Sequence, residues 1–128
     1  MIKTGILNPH ILSLIARVRH TNMLVIADRG FPFWPMIETI DISLVDGIPT
    51  VLQVLEAIHP NFNFGEVYMA QEFLAHNSPE IQQAFTRAAG IAIQYEPHID
   101  FKKRVPAAIG LIRTGDTIAY ANMILVSA

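Results

Sequence analysis

The chain reads as an α/β protein, a three-layer α/β/α sandwich around a mixed, mostly parallel central sheet, and three observations predict it. Apolar runs of strand length alternate with segments of helical periodicity. Several of those runs are apolar almost throughout, the pattern of strands covered on both faces. Helix-start residues stand ahead of the helical segments at four places.

The first helix follows Asn8-Pro9, a cap and a first-turn proline, and its face is Ile11, Leu12, Leu14, Ile15 and Val18, with His20 at the end of the pattern. Pro49 opens a second over Thr50 to His59, which Pro60 closes. Ser78-Pro79 caps a third, whose face of Ile81, Phe85 and Ala88 stops at Gly90, a residue suited to the left-handed C-terminal position. A short fourth helix runs from Pro97 to about Arg104. Strands are expected at Met23 to Ala27, Thr39 to Leu44, Glu66 to Ala70, Ile91 to Tyr95, Ala108 to Arg113 and Asn122 to Val126. Gly115-Asp116 is a turn signal, so the last two strand runs are expected to pair as an antiparallel hairpin.

At 128 residues, residues 1–128 are expected to form a single domain with no separate cofactor lobe. Hydrophobic residues make up 52% of the chain and charged residues 16%, more apolar material than one small domain can bury, which points to a homo-oligomer. Net charge is −2, and the longest basic run is Lys102-Lys103-Arg104, so nucleic acid is not an expected partner. Without cysteine there is no disulfide, thiolate ligand or thiol nucleophile. The short apolar stretch within Met1 to Leu7 is too brief for a secretion signal and no run is long enough to span a membrane, so the expected location is the cytoplasm.

Neither a glycine-rich dinucleotide loop nor a phosphate-binding loop occurs, and G-x-S-x-G is missing, so no cofactor is expected. Glu72 and His76 are four apart and would share a helix face, a spacing found more often on a solvated surface than in a metal site. The candidate polar residues stand at element ends. Asp28 follows the apolar strand Leu24 to Ala27, where open α/β sheets bind ligands, although a turn-forming role is as good an account from position alone. His20 reads equally well as a helix C-terminal residue facing the dipole. His98, at a helix start, is disfavoured as a cation, and Lys102 one turn on shares its face. Tyr120-Ala121-Asn122 brings a hydroxyl and an amide to the entry of the final strand.

The order and spacing of these positions resemble the D-ribose pyranases of the RbsD/FucU family from end to end. The resemblance is carried by Leu7-Asn8, His20-Thr21 with Leu24-Val25 and Asp28, Ile40-Asp41 with Gly47-Ile48-Pro49, Gln53-Val54-Leu55, His98 with Phe101-Lys102, Ile112 to Gly115, and Tyr120-Ala121-Asn122 with Ile124-Leu125. It implies interconversion of the pyranose and furanose forms of D-ribose or a related monosaccharide, in a ring-like homo-oligomer such as a decamer with sites near subunit contacts. It further implies His20 as proton donor, Asp28, His98, Tyr120 and Asn122 as sugar-binding residues, and Lys102 as a weaker candidate.

The L-fucose mutarotases of the same family tend to carry arginine at the position of His98 and glycine at that of Ala121, so the chain is ribose-like at both. It departs in the bulky loop Arg29 to Pro35, whose Phe31, Phe33 and Trp34 would stack on a sugar or, the favoured reading, pack a subunit interface, and in ending at Ala128. A non-catalytic sugar-binding module on the same scaffold is the competing class. Ring opening needs an acid for the departing ring oxygen and a base for the anomeric hydroxyl, roles suited to imidazole, which ordinarily titrates near about pH 6.5. Eight residues separate His20 from Asp28, and an extended chain between them would set their Cα atoms up to about 26 Å apart. Either Thr21-Asn22 turns the chain back so that the strand is short, or the site combines residues of two subunits, and a site at a subunit contact is the expectation.

Overall fold

All 128 residues are described by a computed structural model. The strands are β1 (Met23–Ala27), β2 (Glu38–Asp41), β3 (Phe64–Ala70), β4 (Ile93–Glu96), β5 (Gly110–Arg113) and β6 (Met123–Ser127). They form one sheet in the order β2-β5-β1-β6-β3-β4. Five run the same way, and β6 lies antiparallel between β1 and β3. The mixed, mostly parallel sheet is thus as the sequence predicts.

The terminal hairpin is not. β5 and β6 lie on opposite sides of β1, which pairs with both. Residues 114–122 cross the end of β1 instead of turning tightly, and Asp116 anchors the crossing: its carboxylate accepts from the Val51 N–H at 2.8 Å and the Ile118 N–H at 2.8 Å. A buried acid with two backbone donors fixes a long connection in a way that a glycine-acid turn signal does not reveal.

The helices are α1 (Pro9–Ala16), α2 (Val51–Ile58), α3 (Gln71–His76), α4 (Pro79–Ala89) and α5 (His98–Arg104). The expected caps form on α1 and α4, where Asn8 accepts from His10 and Ile11 and Ser78 accepts from Ile81; α2 begins one residue later than expected, with Thr50 as its cap in a reciprocal capping box with Gln53. Gly90 closes α4 with φ of 71°. α1 ends well before His20. The Asn22 side chain accepts from the Arg19 N–H at 2.8 Å, and Thr21, at φ of 68°, donates its N–H to Ser127 at 3.0 Å, so residues 19–22 form the turn into β1. His20 is a turn residue, not a helix C-terminus. The strands β2, β4 and β5 are each shorter than their apolar runs, and α3, where Glu72 and His76 do share a helix, is a fifth helix beyond the four expected, six residues with no side-chain cap and only Phe73 buried.

Alternation along the strands sorts the core onto two faces. Leu24, Ile26, Val67, Met69, Ile112, Met123 and Leu125 face a large cluster built with α1, α2 and α4. Val25, Ala27, Leu111 and Ile124 face a smaller one closed by Phe31 and by Phe101 and Val105 at the end of the chain's α5 segment. Complete burial of a side chain such as Phe101 or Leu24 stabilises the fold by about 1.5–3 kcal/mol. The topology also sorts the ends: the chain after β1, β3, β4 and β5 and the chain before β6 share one edge of the sheet, and His20, ahead of β1, lies at the other.

Candidate active site

At that first edge, Asp28, His98, Tyr120 and Asn122 line one cavity of about 250 Å³, walled further by Phe31, Pro32 and Ala119. Larger hollows exist near Trp34 and Lys103 and near His59 and Gly90. Neither gathers an acid, an imidazole, a phenol and an amide as this one does, and convergent polar groups rather than volume mark a site.

Asn122 is 3% exposed, and its side-chain oxygen accepts from the Asp28 N–H at 2.7 Å. That fixes the amide's sense and leaves its NH₂ to donate toward the Asp28 carboxylate or a ligand. Asp28 in turn accepts from the Gly30 N–H at 2.9 Å, tightening the turn out of β1. Its carboxyl is pushed above the ordinary 3.8, first by burial and also by the charge of Asp116, against hydrogen bonds from Gly30, Asn122 and Phe31 that favour the anion. Asp28 therefore forms the turn and lines the cavity at once.

His98 begins α5, and its imidazole stacks at 6.0 Å on Phe101 and meets Phe31 edge-on at 6.2 Å. Its Nδ1 is buried and has no partner within the chain. Burial, then the charge of Lys102, lowers its pKa from 6.5, while Glu72 and Asp28 oppose the shift. The neutral imidazole that the helix start predicts is thus favoured here chiefly by desolvation and then by Lys102. Tyr120 stands edge-on to His98 at 5.1 Å, and its φ of 56° is left-handed, unusual for a bulky side chain.

The remaining candidates fall outside the cavity. Lys102 lines the adjoining groove with Phe33, Trp34 and Ile99, and reaches the site only through its charge on His98. His20 is exposed at the far edge of the sheet; the five extended residues of β1 alone span roughly 16 Å. The aromatic loop divides in two. Phe31 is 4% exposed and packs on Phe101 at 6.0 Å, within the chain's own core, whereas Phe33 is exposed.

The supports of the site were largely illegible beforehand. Arg113 donates to the carbonyls of Asp28, Arg29 and Pro32, clamping the loop that carries the acid. The buried Thr114 hydroxyl donates to the Ala27 carbonyl at 2.8 Å. Glu72, which the sequence placed on a solvated face, is half-buried and accepts the His98 N–H on both oxygens. In each case the partner is remote in sequence, so spacing carries no signal.

Comparison with known proteins places the whole chain in a family. Residues 1–128 match the model of the RbsD / FucU transport protein family. A D-ribose pyranase of Laribacter hongkongensis is 40% identical over 128 residues, covering 99% of this chain and 97% of the relative. One from Geobacillus kaustophilus is 38% identical, covering 98% and 92%. Among solved structures, Bacillus subtilis RbsD complexed with D-ribose superposes with a TM-score of 0.92 at 33% identity, covering 100% of this chain and 98% of that one. The fucose mutarotase of Streptococcus pneumoniae in complex with L-fucose shares the fold, with a TM-score of 0.80 at 22% identity over 94% of this chain and 92% of that one. A full-length family match, relatives at this identity and a superposable α/β sheet agree with the residue pattern, and the chain belongs to the RbsD/FucU family.

Proposed function

We propose that this protein is a cofactor-free sugar isomerase that interconverts the pyranose and furanose forms of D-ribose. One observation carries the reading: Asp28, His98, Tyr120 and Asn122 converge on one monosaccharide-sized cavity, in a chain 37–40% identical to D-ribose pyranases. Polar groups of this variety, over an apolar floor of Phe31, suit a ligand with a hydroxyl on nearly every carbon.

The reaction breaks the C1–O5 bond of the ring. A base takes the anomeric hydroxyl proton, C1 becomes an aldehyde, and an acid protonates O5 as it leaves. Reclosure runs these steps in reverse with O4 in place of O5: a base takes the O4 proton as O4 attacks C1, and an acid protonates the aldehyde oxygen to restore the anomeric hydroxyl, with no electrons transferred to or from the sugar. Asp28 accepts a sugar hydroxyl, the neutral His98 accepts or donates at its unpartnered Nδ1, and the Asn122 NH₂ and Tyr120 hydroxyl hold the open form while C1–C2 rotates.

His20 is assigned as the acid that protonates O5, and it comes from a second copy of the chain. Its position at the far edge of the sheet supports a shared site, since it cannot reach the cavity of its own protomer. Exposed apolar side chains on the segments after β1 and β2 and at the start of α5, among them Phe33, Met36, Leu44, Val45, Ile48 and Ile99, suit burial against another copy in a ring-like homo-oligomer such as a decamer. We infer one domain acting in the cytoplasm; no helix is long and apolar enough to cross a membrane.

Exchange NMR on D-ribose tests the assignment. Wild-type protein is expected to raise the pyranose-to-furanose exchange rate, and folded Asp28→Asn to bind ribose weakly and accelerate little. Saturable ribose binding without acceleration would establish a binding module instead, and acceleration with L-fucose alone the mutarotase reading.

A further inference from the structure

We propose that Glu72, His76 and Asn77 form a positioning bracket for the sugar site, Glu72 setting His98 and the other two setting Tyr120. This rests on the reading above that the cavity opens a sugar ring. α3 leaves the end of β3 at the cavity edge, and Glu72 in its first turn, His76 in its last and Asn77 at its C-cap reach the two elements that carry the binding groups.

Glu72 is the acceptor for the first N–H of α5: its carboxylate oxygens lie 3.0 and 3.2 Å from the His98 nitrogen. Pro97 provides no side-chain cap, so a carboxylate from another helix fixes the backbone from which the imidazole projects. His76 engages Tyr120. Its Nδ1 lies 2.8 Å from the Glu72 carbonyl oxygen, which can only accept, so Nδ1 carries the proton and the ring is held in one orientation. In that orientation its centroid is 5.2 Å from the Tyr120 ring, and Tyr120 sits between two imidazoles, with His98 at 5.1 Å.

Asn77 secures the backbone beneath. Its NH₂ donates to the Phe73 carbonyl at 2.8 Å and to the Ala119 carbonyl at 2.9 Å, pinning the peptide just ahead of the left-handed Tyr120. A bulky residue keeps positive φ only where its surroundings over-determine it, and the Asn77 bond and the His76 ring supply that constraint. The groups whose charge reaches His98 come from each packed element: Glu72 from α3, Asp28 after β1 and Lys102 from its own helix, with Tyr120 against the ring from the segment before β6. Glu72 and Asp28 favour the imidazolium, and Lys102 opposes it.

The test uses the full chain with Glu72→Gln, His76→Ala and His76→Phe, read by ¹⁵N titration of His98, D-ribose exchange NMR and thermal melting. Glu72→Gln keeps an oxygen for the His98 N–H but removes the charge. The His98 titration is expected to move to lower pH, and kcat to fall about tenfold with less change in KM. His76→Ala is expected to raise KM about threefold to tenfold through loss of the Tyr120 contact, and His76→Phe to restore most of it, since ring packing rather than proton transfer is at stake. His76 is exposed, so its variants keep the fold. An unmoved His98 titration in folded Glu72→Gln, or rates and KM within about twofold of wild type in all three variants, would overturn the bracket. Wild-type protein that fails to accelerate ring exchange defeats the sugar-isomerase reading instead, while the His98 titration still decides the role of Glu72.

Discussion

Asn122 is the residue whose replacement separates support from binding. Its side-chain oxygen is the acceptor for the Asp28 N–H at 2.7 Å, at a position 3% exposed. Asn122→Ala strands that donor, and a buried N–H without a partner costs about 1–3 kcal/mol. For a chain of this length each kcal/mol lowers Tm by roughly 4 °C, so a loss of about 4–12 °C is expected. Asn122→Asp is the informative companion. It keeps an oxygen for the Asp28 N–H but sets a second carboxylate beside one whose pKa is already raised. A carboxyl raised above 3.8 in the fold contributes stability that is full below 3.8 and lost as pH rises through its folded value. The aspartate variant is therefore expected to melt close to wild type near pH 4 and well below it at pH 8, whereas the alanine variant loses stability already at pH 4 and somewhat more at pH 8, where the Asp28 anion also lacks its Asn122 hydrogen bond. Thermal melts at the two pH values, with saturation-difference NMR on D-ribose, check this. Equal losses for the two variants at both pH values, or no loss for alanine, would refute the account of the Asn122–Asp28 pair.

Three further outcomes follow from the same geometry. Asp28→Asn keeps the turn acceptor for Gly30 and removes a buried charge, so it is expected to raise Tm at pH 7 while weakening ribose binding at least tenfold, roughly the worth of a charge-assisted hydrogen bond. His98, lowered from 6.5 by burial and by Lys102, contributes stability that is present above 6.5 and lost as pH falls through its depressed value. Ring exchange is expected to decline over that acid window, and Lys102→Met to move the decline to higher pH in a pH–rate profile. Phe101→Ala removes a fully buried ring that stacks on His98 and is expected to cost about 3–5 kcal/mol in urea denaturation, with the exchange rate falling alongside.

Much of the fold was legible because local chemistry enforced it. Asn8, Thr50, Ser78 and Gly90 act where their side chains or backbone freedom place them, and the apolar runs around Val25, Leu111 and Ile124 are buried on both faces of a central sheet. The final strand's partner was not legible, because Gly115-Asp116 resembles a turn while the Asp116 carboxylate in fact bonds Val51, 65 residues away. Four of the six candidate site residues converge: Asp28, His98, Tyr120 and Asn122 stand at strand or helix ends that the topology brings to one edge. His20 does not join them within a protomer, and Lys102 faces the neighbouring groove. The supporting roles of Glu72, Arg113 and Thr114 were not legible because their partners are backbone groups 26 to 87 residues distant, and a main-chain carbonyl or N–H has no sequence identity to read.

The shared site is tested most directly by mixing two inactive variants. His20→Ala and Asp28→Asn are purified separately, their oligomers dissociated and reassembled together, and pyranose-to-furanose exchange of D-ribose is measured by NMR. If His20 of one copy serves the cavity of another, random assortment leaves about a quarter of the sites with both residues intact, and roughly a quarter of the wild-type rate returns. A mixed preparation that assembles yet stays as inactive as either variant alone would contradict a site built from two copies.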